Sequence, residues 1–170
     1  MTISLLVAIV IVILIALFFF KLRKPLKYHN AGISKFNQGE YNGAIEDFTK
    51  AVELNSYNGK AYLYRGYSKH KLNDLHGAIE DYTLAMERKT PTADDYINRG
   101  ALKDQLEDYD GAIADYTAAT KINPKDADAY YNIGLSNAKK GLIQTAILAW
   151  RVSASLGNKN SLQKLEEFDS

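Results

Sequence analysis

The chain has 170 residues, and its 21 Lys and Arg residues nearly balance its 20 Asp and Glu residues, which gives a formal charge of +1. A charge this close to zero does not indicate a nucleic-acid-binding surface, and the absence of cysteine excludes disulfides and thiol catalysis. The length leaves room for one stacked-helix domain that can bury its own core.

The first twenty residues are almost wholly apolar, with Thr2 and Ser4 as the only polar side chains and no charge. As a helix, residues 3–20 would span about 27 Å, close to the thickness of the hydrocarbon core of a bilayer. This predicts a transmembrane anchor at residues 1–22. A cleaved secretory signal is the alternative, although the uncharged start and the end at Phe18 to Phe20 do not fit one.

Four cations accompany the end of this segment: Lys21, Arg23, Lys24 and Lys27. Positive residues favour the cytoplasmic side of a membrane. The predicted localisation is therefore a single-pass membrane protein with its N-terminus outside and the remainder in the cytoplasm. Pro25 interrupts a continuing helix, so the anchor is expected to end or kink there, with the next helix beginning at residue 26.

An internal repeat begins within residues 41–51. The Gly-Ala-Ile tripeptide at Gly43 recurs at Gly77 and Gly111, which is a period of 34 residues, and one further period reaches Thr145-Ala146-Ile147. A fixed period of this size indicates a supersecondary unit that stacks on copies of itself. The same period relates four tyrosines and four glycines upstream: Tyr28, Tyr62, Tyr96 and Tyr130, and Gly32, Gly66, Gly100 and Gly134.

Apolar and small residues at spacings of three and four predict that each unit is a pair of helices, A and B. The eight helices are expected at residues 26–38, 41–54, 60–71, 75–88, 94–105, 109–121, 126–139 and 142–156. A short amphipathic helix from Asn160 to Phe168, with Leu162, Leu165 and Phe168 on its packed side, is expected to cap the last unit.

Together these positions resemble the tetratricopeptide repeats over about residues 25 to 158. In the third unit, the positions typical of the family are Tyr96, Gly100, Ala112, Tyr116, Ala119 and Pro124. The resemblance implies an all-α fold, a right-handed α-solenoid of four helix-turn-helix repeats with a C-terminal capping helix. It places the repeat domain at residues 23–158, with repeats at about 25–58, 59–92, 93–126 and 127–158, followed by a cap and tail at 159–170.

Small residues are expected at the contact between helices A and B. Gly66 would face Ala78, and likewise in the other units, because neither side chain then holds the two backbones apart. Replacing Gly100 by Leu would overpack the helix pair at a cost of about 1–3 kcal/mol.

Catalysis is not predicted. The three histidines, His29, His70 and His76, lack the spacing of metal ligands, and no cysteine completes a site. The carboxylate pairs Glu46/Asp47 and Glu80/Asp81 recur at the repeat period, which favours a solvated face or structural ion pairs over acid–base chemistry. Asp81 is expected to reach Arg65 or Arg99. No cofactor, metal or small-molecule substrate is therefore predicted.

The resemblance implies that the A helices line a concave groove that binds a protein or an extended peptide. The predicted groove residues are Asn30, Ile33, Tyr64, Tyr67, Lys71, Asn98, Gln105, Asn132 and Leu135. The amides of Asn30, Asn98 and Asn132 could hydrogen-bond a peptide main chain, or they could be tolerated polar residues on exposed helices, and both interpretations stay open. Tyr64 and Tyr67 add an aromatic patch that favours binding.

Chaperone-binding members of the family hold a C-terminal carboxylate with a clamp of lysines and arginines. The corresponding positions here are His29, Ile33, Tyr64, Asp94 and Asn98, or, one repeat later, Leu63, Tyr67, Asn98, Asp128 and Asn132. Neither set supplies the cations, so a carboxylate clamp is not expected.

The predicted function is a non-catalytic, membrane-anchored scaffold that binds a protein partner and assembles or stabilises a membrane complex. One alternative is an integral structural subunit held in such a complex through its transmembrane helix. Another is a secreted peptide-binding module, if residues 1–20 are a cleaved signal.

Overall fold

The computed structural model describes residues 3–168, with the side chains of residues 7–14 and 23–168. Within these residues the chain forms nine α-helices and no strand. The helices are α1 (Ile3–Asn37), α2 (Tyr41–Leu54), α3 (Gly59–Lys71), α4 (Leu75–Arg88), α5 (Ala93–Gln105), α6 (Tyr109–Ile122), α7 (Ala127–Lys139), α8 (Ile143–Ser155) and α9 (Lys159–Phe168). The predicted all-helical, solenoid-like fold is confirmed.

The bounds of α2 to α9 lie within one residue of the predicted bounds. Polar residues at the repeat period begin three of the A helices. The side chains of Asn58, Thr92 and Asp126 each accept a hydrogen bond from the backbone N–H three residues on, which satisfies one of the free donors at a helix N-terminus. Thr92 also forms a reciprocal capping box with Asp95.

The first helix differs from the prediction. α1 runs without interruption from Ile3 to Asn37 and contains Pro25, so no helix ends at this proline. Proline removes one backbone hydrogen bond from a helix, whereas ending the helix there would free several donors and acceptors at two new termini. The part of α1 that follows Pro25 is also held by packing against α2.

No helix in the described residues is both long enough and apolar enough to cross a membrane. Within the predicted anchor, the structure describes the side chains of residues 7–14. The remainder of the predicted anchor, residues 1–6 and 15–22, lies outside the described side chains. The predicted single-pass localisation, with the N-terminus outside and the repeats in the cytoplasm, is contradicted by this finding.

The chain divides into two compact units, one up to Asp74 and the other from Leu75 onward. In the first, Ala44, Phe48, Ala51, Val52 and Ala61 form a buried core on which Tyr28, Ile33, Phe36, Tyr62 and Tyr64 pack. In the second, the largest fully buried side chains are Trp150, Tyr82 and Leu102.

Glycines in the A helices make room for an aromatic ring. A Cβ atom added to Gly32 would lie 2.7 Å from the Phe48 ring, and one added to Gly134 would lie 2.2 Å from the Trp150 ring. At Gly100 the nearest atom is in Tyr116, at 3.0 Å. In these repeats the atom nearest to the added Cβ belongs to the aromatic residue sixteen positions after the glycine, so the glycine leaves room for that ring. The expected contact with the alanine twelve positions after the glycine stays a prediction.

The turns between helices A and B share one backbone feature. The residue at the same place in each repeat has a positive φ: Gly39 (79°), Asn73 (63°), Glu107 (63°) and Gly141 (79°). Glycine adopts this conformation freely and asparagine tolerates it, but glutamate does so at a cost. Glu107 therefore has a strained backbone, whereas the equivalent turns of the other repeats have glycine or asparagine at this place.

The C-terminal helix α9 packs on α8, as a capping helix would. Its Phe168 ring stacks on Trp150 with the ring centroids 5.7 Å apart, and Ser161 is buried. Leu162, expected on the packed side, is 51% exposed. The buried Ser161 and the stacked Phe168 are seven residues apart, so they set the packed face of the helix and place Leu162 about 100° away from Ser161.

Candidate protein-binding surfaces

In the first unit, aromatic rings join the A helices α1 and α3. Phe36 of α1 lies 5.9 Å from Tyr64 and 6.5 Å from Tyr67, measured between ring centroids. Tyr64 also stacks on the buried Phe48 at 5.7 Å. The structure thus places Tyr64, Tyr67 and Phe36 in one cluster, and Ile33 packs against the same core. Phe36 was not among the predicted residues, although its place on helix A was visible from the period.

His29 lies beneath this cluster and is only 8% exposed. Its ring meets those of Phe48 and Tyr64 edge-on, at 5.8 Å and 6.1 Å between centroids. In the described part of the chain, its Nδ1 has no hydrogen-bond partner. Burial lowers the pKa of His29, and the nearby positive charge of Lys60 lowers it further. His29 is therefore neutral at physiological pH.

Two other predicted residues of this unit are open to solvent. Asn30 on α1 and Lys71 at the end of α3 are exposed, whereas Tyr64 and Tyr67 are half-buried. The helix-A face of the first unit therefore has an aromatic centre together with an exposed amide and an exposed ammonium group. Tyrosine can contribute a large contact area from such a position and still offer a hydroxyl group.

In the second unit, polar side chains join the A helices α5 and α7. Asp104 accepts hydrogen bonds from Ser136 Oγ, at 2.8 Å, and from Lys139 Nζ. The predicted residues Asn98, Asn132 and Leu135 are half-buried on these helices, and Gln105 is exposed. Asp104 was also missed, and it occupies the place in the third repeat that Phe36 occupies in the first.

A buried ion pair stabilises the third repeat. Arg99 donates to Asp115 through Nε at 2.9 Å and Nη2 at 2.6 Å, and Lys103 Nζ lies 2.8 Å from the same carboxylate. Arg99 also donates to Thr83 on α4. The pairing with Asp115 raises the pKa of Arg99, although burial opposes the shift. Of the two arginines expected to reach Asp81, which were Arg65 and Arg99, Arg99 donates to the carboxylate of Asp115.

The corresponding carboxylate of the first repeat, Asp47, pairs with Lys35 at 2.7 Å. The structural role predicted for the repeated carboxylates is thereby confirmed for Asp47. In the fourth repeat, the lysine and aspartate places hold Asn137 and Ala149. Both members of the pair are thus replaced, which avoids a buried charge without a partner.

In the described residues, no group of three or more His, Cys, Asp or Glu residues is arranged to hold a metal ion.

Comparison with known families identifies the repeat. A model described as "Tetratricopeptide repeat" matches residues 29–94, and one described as "TPR repeat" matches residues 105–141. These matches support the tetratricopeptide repeat family for this chain, as its sequence predicted. Proteins of this family generally act as protein-binding scaffolds, and the fold is typically a non-catalytic interaction module. No curated protein matches the chain significantly.

Solved structures with the same fold include a crystal structure of MamA, 27% identical, which covers 81% of this chain and 81% of that chain with a TM-score of 0.75. MamA from Desulfovibrio magneticus RS-1 is 19% identical over 84% of this chain and 81% of that chain, with a TM-score of 0.76. The first tetratricopeptide domain of Spaghetti (RPAP3), solved with an HSP90 peptide, is 24% identical over 70% of this chain and 94% of that chain, with a TM-score of 0.64. The last two likenesses show the fold alone.

Proposed function

We propose that this protein is a non-catalytic scaffold that binds a protein segment or an extended peptide on the exposed faces of its A helices and brings partners together in a complex. The observation that supports this most directly is the partly exposed pair Tyr64 and Tyr67, in the same unit as the solvent-exposed Asn30 and Lys71. Partly exposed tyrosines are frequent anchors of protein interfaces.

The amide of Asn30 in the first unit, and the amides of Asn98 and Asn132 in the second, are proposed to hydrogen-bond the backbone of a segment bound on their own unit, because an amide group both donates and accepts. Gln105 and Lys71 would add polar contacts at the ends of their helices, and Ile33 and Leu135 would add apolar ones. The RPAP3 domain was solved with an HSP90 peptide. The clamp positions of this chain lack the required cations, so we propose a different class of segment here.

The buried carboxylates favour a scaffold over an enzyme. Asp115 and Asp47 are held in ion pairs between helices, where they stabilise the repeats. Proton transfer by such a group would break the pair on which the fold depends. The proposed function accordingly requires no cofactor and no chemical step.

The test is a pull-down of the tagged full chain from an extract of its native cells, followed by mass spectrometry. The helix-A variant combines Asn30→Ala, Lys71→Ala, Gln105→Ala and Asn132→Ala with Tyr64→Phe, which keeps the ring that packs on Phe48. The control variant changes exposed residues of the B helices: Glu80→Ala, Lys121→Ala and Gln144→Ala.

Circular dichroism should show that both variants are folded. We expect partners that the wild type and the control variant capture to be lost from the helix-A variant. If the helix-A variant retains every partner, or the control variant loses the same ones, the A helices are not the binding surface.

A further inference from the structure

A cationic cavity lies at the start of the first repeat, and none of its lining residues is among the predicted groove residues. Arg23, Lys24, Lys27 and Tyr28 line a cavity of about 490 Å³ on α1, and the three cations are exposed. Lys50 of α2 places its ammonium nitrogen 5.6 Å from the centroid of the Tyr28 ring. The cavity therefore combines positive charge from one helix with a tyrosine that already accepts a cation on its face.

The residues equivalent to Lys27 in the other repeats lie on a helix face that is buried there. One, two and three periods after Lys27 stand Ala61, Asp95 and Ala129, which are 0%, 4% and 0% exposed. Each of these residues lies on an A helix that packs against the preceding B helix. Lys27 is exposed at the same place. The face is thus one on which the repeat packs another helical element, but in the first repeat its side chains are cationic.

The charge of the whole first unit agrees with this local feature. Residues 1–74 contain 10 basic and 5 acidic residues, a formal charge of +5, whereas residues 75–170 contain 11 basic and 15 acidic residues, a formal charge of −4. A field of one sign attracts partners of the opposite sign and speeds their association.

From these observations we propose that the cavity formed by Arg23, Lys24, Lys27 and Tyr28 is a docking site for a segment of a partner protein rich in glutamate and aspartate. The carboxylates would pair with the exposed Arg23 and Lys27, and the backbone of the segment would cover the face that a B helix covers in later repeats. This site goes beyond the proposed helix-A surface.

The shape of the site favours a protein segment over a single phosphate group. Phosphate sites commonly use free backbone N–H groups at a helix N-terminus. Here α1 continues through residues 23–28, so its backbone donors are used within the helix. The cations project from successive positions along the helix, an arrangement that suits several carboxylates spread along a chain.

The test measures fluorescence anisotropy of a labelled peptide of glutamate and alanine, titrated with the full chain, and uses a peptide with glutamine in place of glutamate as the neutral probe. The site variant is Arg23→Glu with Lys27→Glu. The matched control is Lys121→Glu with Lys125→Glu, which changes the net charge equally at exposed positions of the second unit. Circular dichroism checks that both variants fold.

We expect the wild type to bind the acidic peptide and not the neutral one, with affinity that falls as salt is added. The site variant should bind at least about tenfold more weakly, because reversal of two charges removes two attractions and adds two repulsions of similar size. The control variant should stay within about twofold of the wild type, and the helix-A variant should also keep its affinity, which separates this site from the proposed groove.

Three outcomes would overturn the proposal. Equal weakening in the site and control variants would show attraction by net charge without a site. Absence of acidic-peptide binding, together with wild-type binding to vesicles of phosphatidylcholine and phosphatidylserine that the site variant loses, would assign the cations to a lipid surface. No binding to either probe would show that the cavity has no anionic ligand of these classes.

Discussion

The two units of this protein use the same repeat but join their A helices with different chemistry. In the first unit, Phe36 and Tyr64 connect α1 and α3 through ring contacts. In the second, Asp104 connects α5 and α7 through hydrogen bonds to Ser136 and Lys139. The difference shows that the glycine and aromatic positions specify the helix pair, whereas the link between successive A helices is free to be apolar or polar.

The ion pairs within the repeats differ in the same way. Asp115 of the second unit is bound by Arg99 and Lys103, and all three side chains are at most 20% exposed. Asp47 of the first unit has a pairing with Lys35, which is 36% exposed. Water can replace part of the interaction between Asp47 and Lys35 but little of the interaction of Asp115 with Arg99 and Lys103. The two aspartates should therefore contribute differently to stability.

The largest expected effect tests this difference. Asp115→Asn should lower the free energy of unfolding by about 3–5 kcal/mol, because it leaves two cations without their buried carboxylate. Asp47→Asn should cause a smaller loss, because Lys35 can turn to solvent. Denaturant titration followed by circular dichroism, and by the fluorescence of Trp150, measures both. Equal losses would show that the two pairs have the same structural weight.

A second pair of substitutions tests how closely the helix-A glycine packs against the aromatic ring in each unit. Gly32→Ala should cost about 1–3 kcal/mol, because its Cβ would lie 2.7 Å from Phe48, which is fully buried. Gly100→Ala should be close to neutral: the nearest Tyr116 atom is 3.0 Å away, and alanine gains about 1 kcal/mol in helix propensity over glycine. Thermal unfolding of the two variants measures the loss of stability at each position. A larger loss at Gly100 would contradict the difference in packing.

A third change should stabilise the second unit. Glu107→Gly removes a side chain from a residue with a φ of 63° and should raise the free energy of unfolding by about 1 kcal/mol. Gly39→Ala, at the corresponding turn of the first unit, should lower it by a similar amount. Denaturant titration of both variants measures the effects. A destabilised Glu107→Gly variant would mean that the glutamate side chain contributes more than its backbone costs.

The smallest expected effect is a difference in pH dependence between the units. Burial lowers the pKa of His29 and of His70, both in the first unit. Below the unfolded pKa of about 6.5, the unfolded state binds protons that the folded state does not, so the first unit should lose stability as the pH falls from 7. Hydrogen exchange of peptides from each unit measures this. The second repeat has Leu63 at the place that His29 occupies in the first. His29→Leu should therefore reduce the loss of stability of the first unit at low pH.

The second unit should respond at lower pH. Burial of the Asp95 carboxyl opposes its ionisation, but hydrogen bonds from Lys89 and Thr92 outweigh burial and lower its pKa. Its stabilising contribution is present above the unfolded pKa of about 3.9 and is lost as the pH falls through the folded value. If both units lost protection over the same pH range, the histidines would not account for the behaviour of the first.

Much of the fold could be predicted because the same pattern of small and aromatic residues recurs with a period of 34 residues. The helix bounds from α2 to α8 follow from that period with an error of one residue, and the resemblance to the family rests on the same positions. The candidate surface was predicted less completely. Its tyrosines were found, but Phe36 and Asp104 differ between repeats, so no recurring residue type indicated them.

The repeat, the helix pairs and the resemblance to the tetratricopeptide family could be predicted from the sequence, because these depend on local spacing that recurs along the chain. The packing of the helices was needed to show that α1 continues through Pro25, that Gly32 and Gly134 face rings, that Arg99 binds Asp115, and which side of α9 is packed. Each of these depends on which distant side chains meet when helices pack. Residue spacing restricts such contacts to a helix face but does not select the partner.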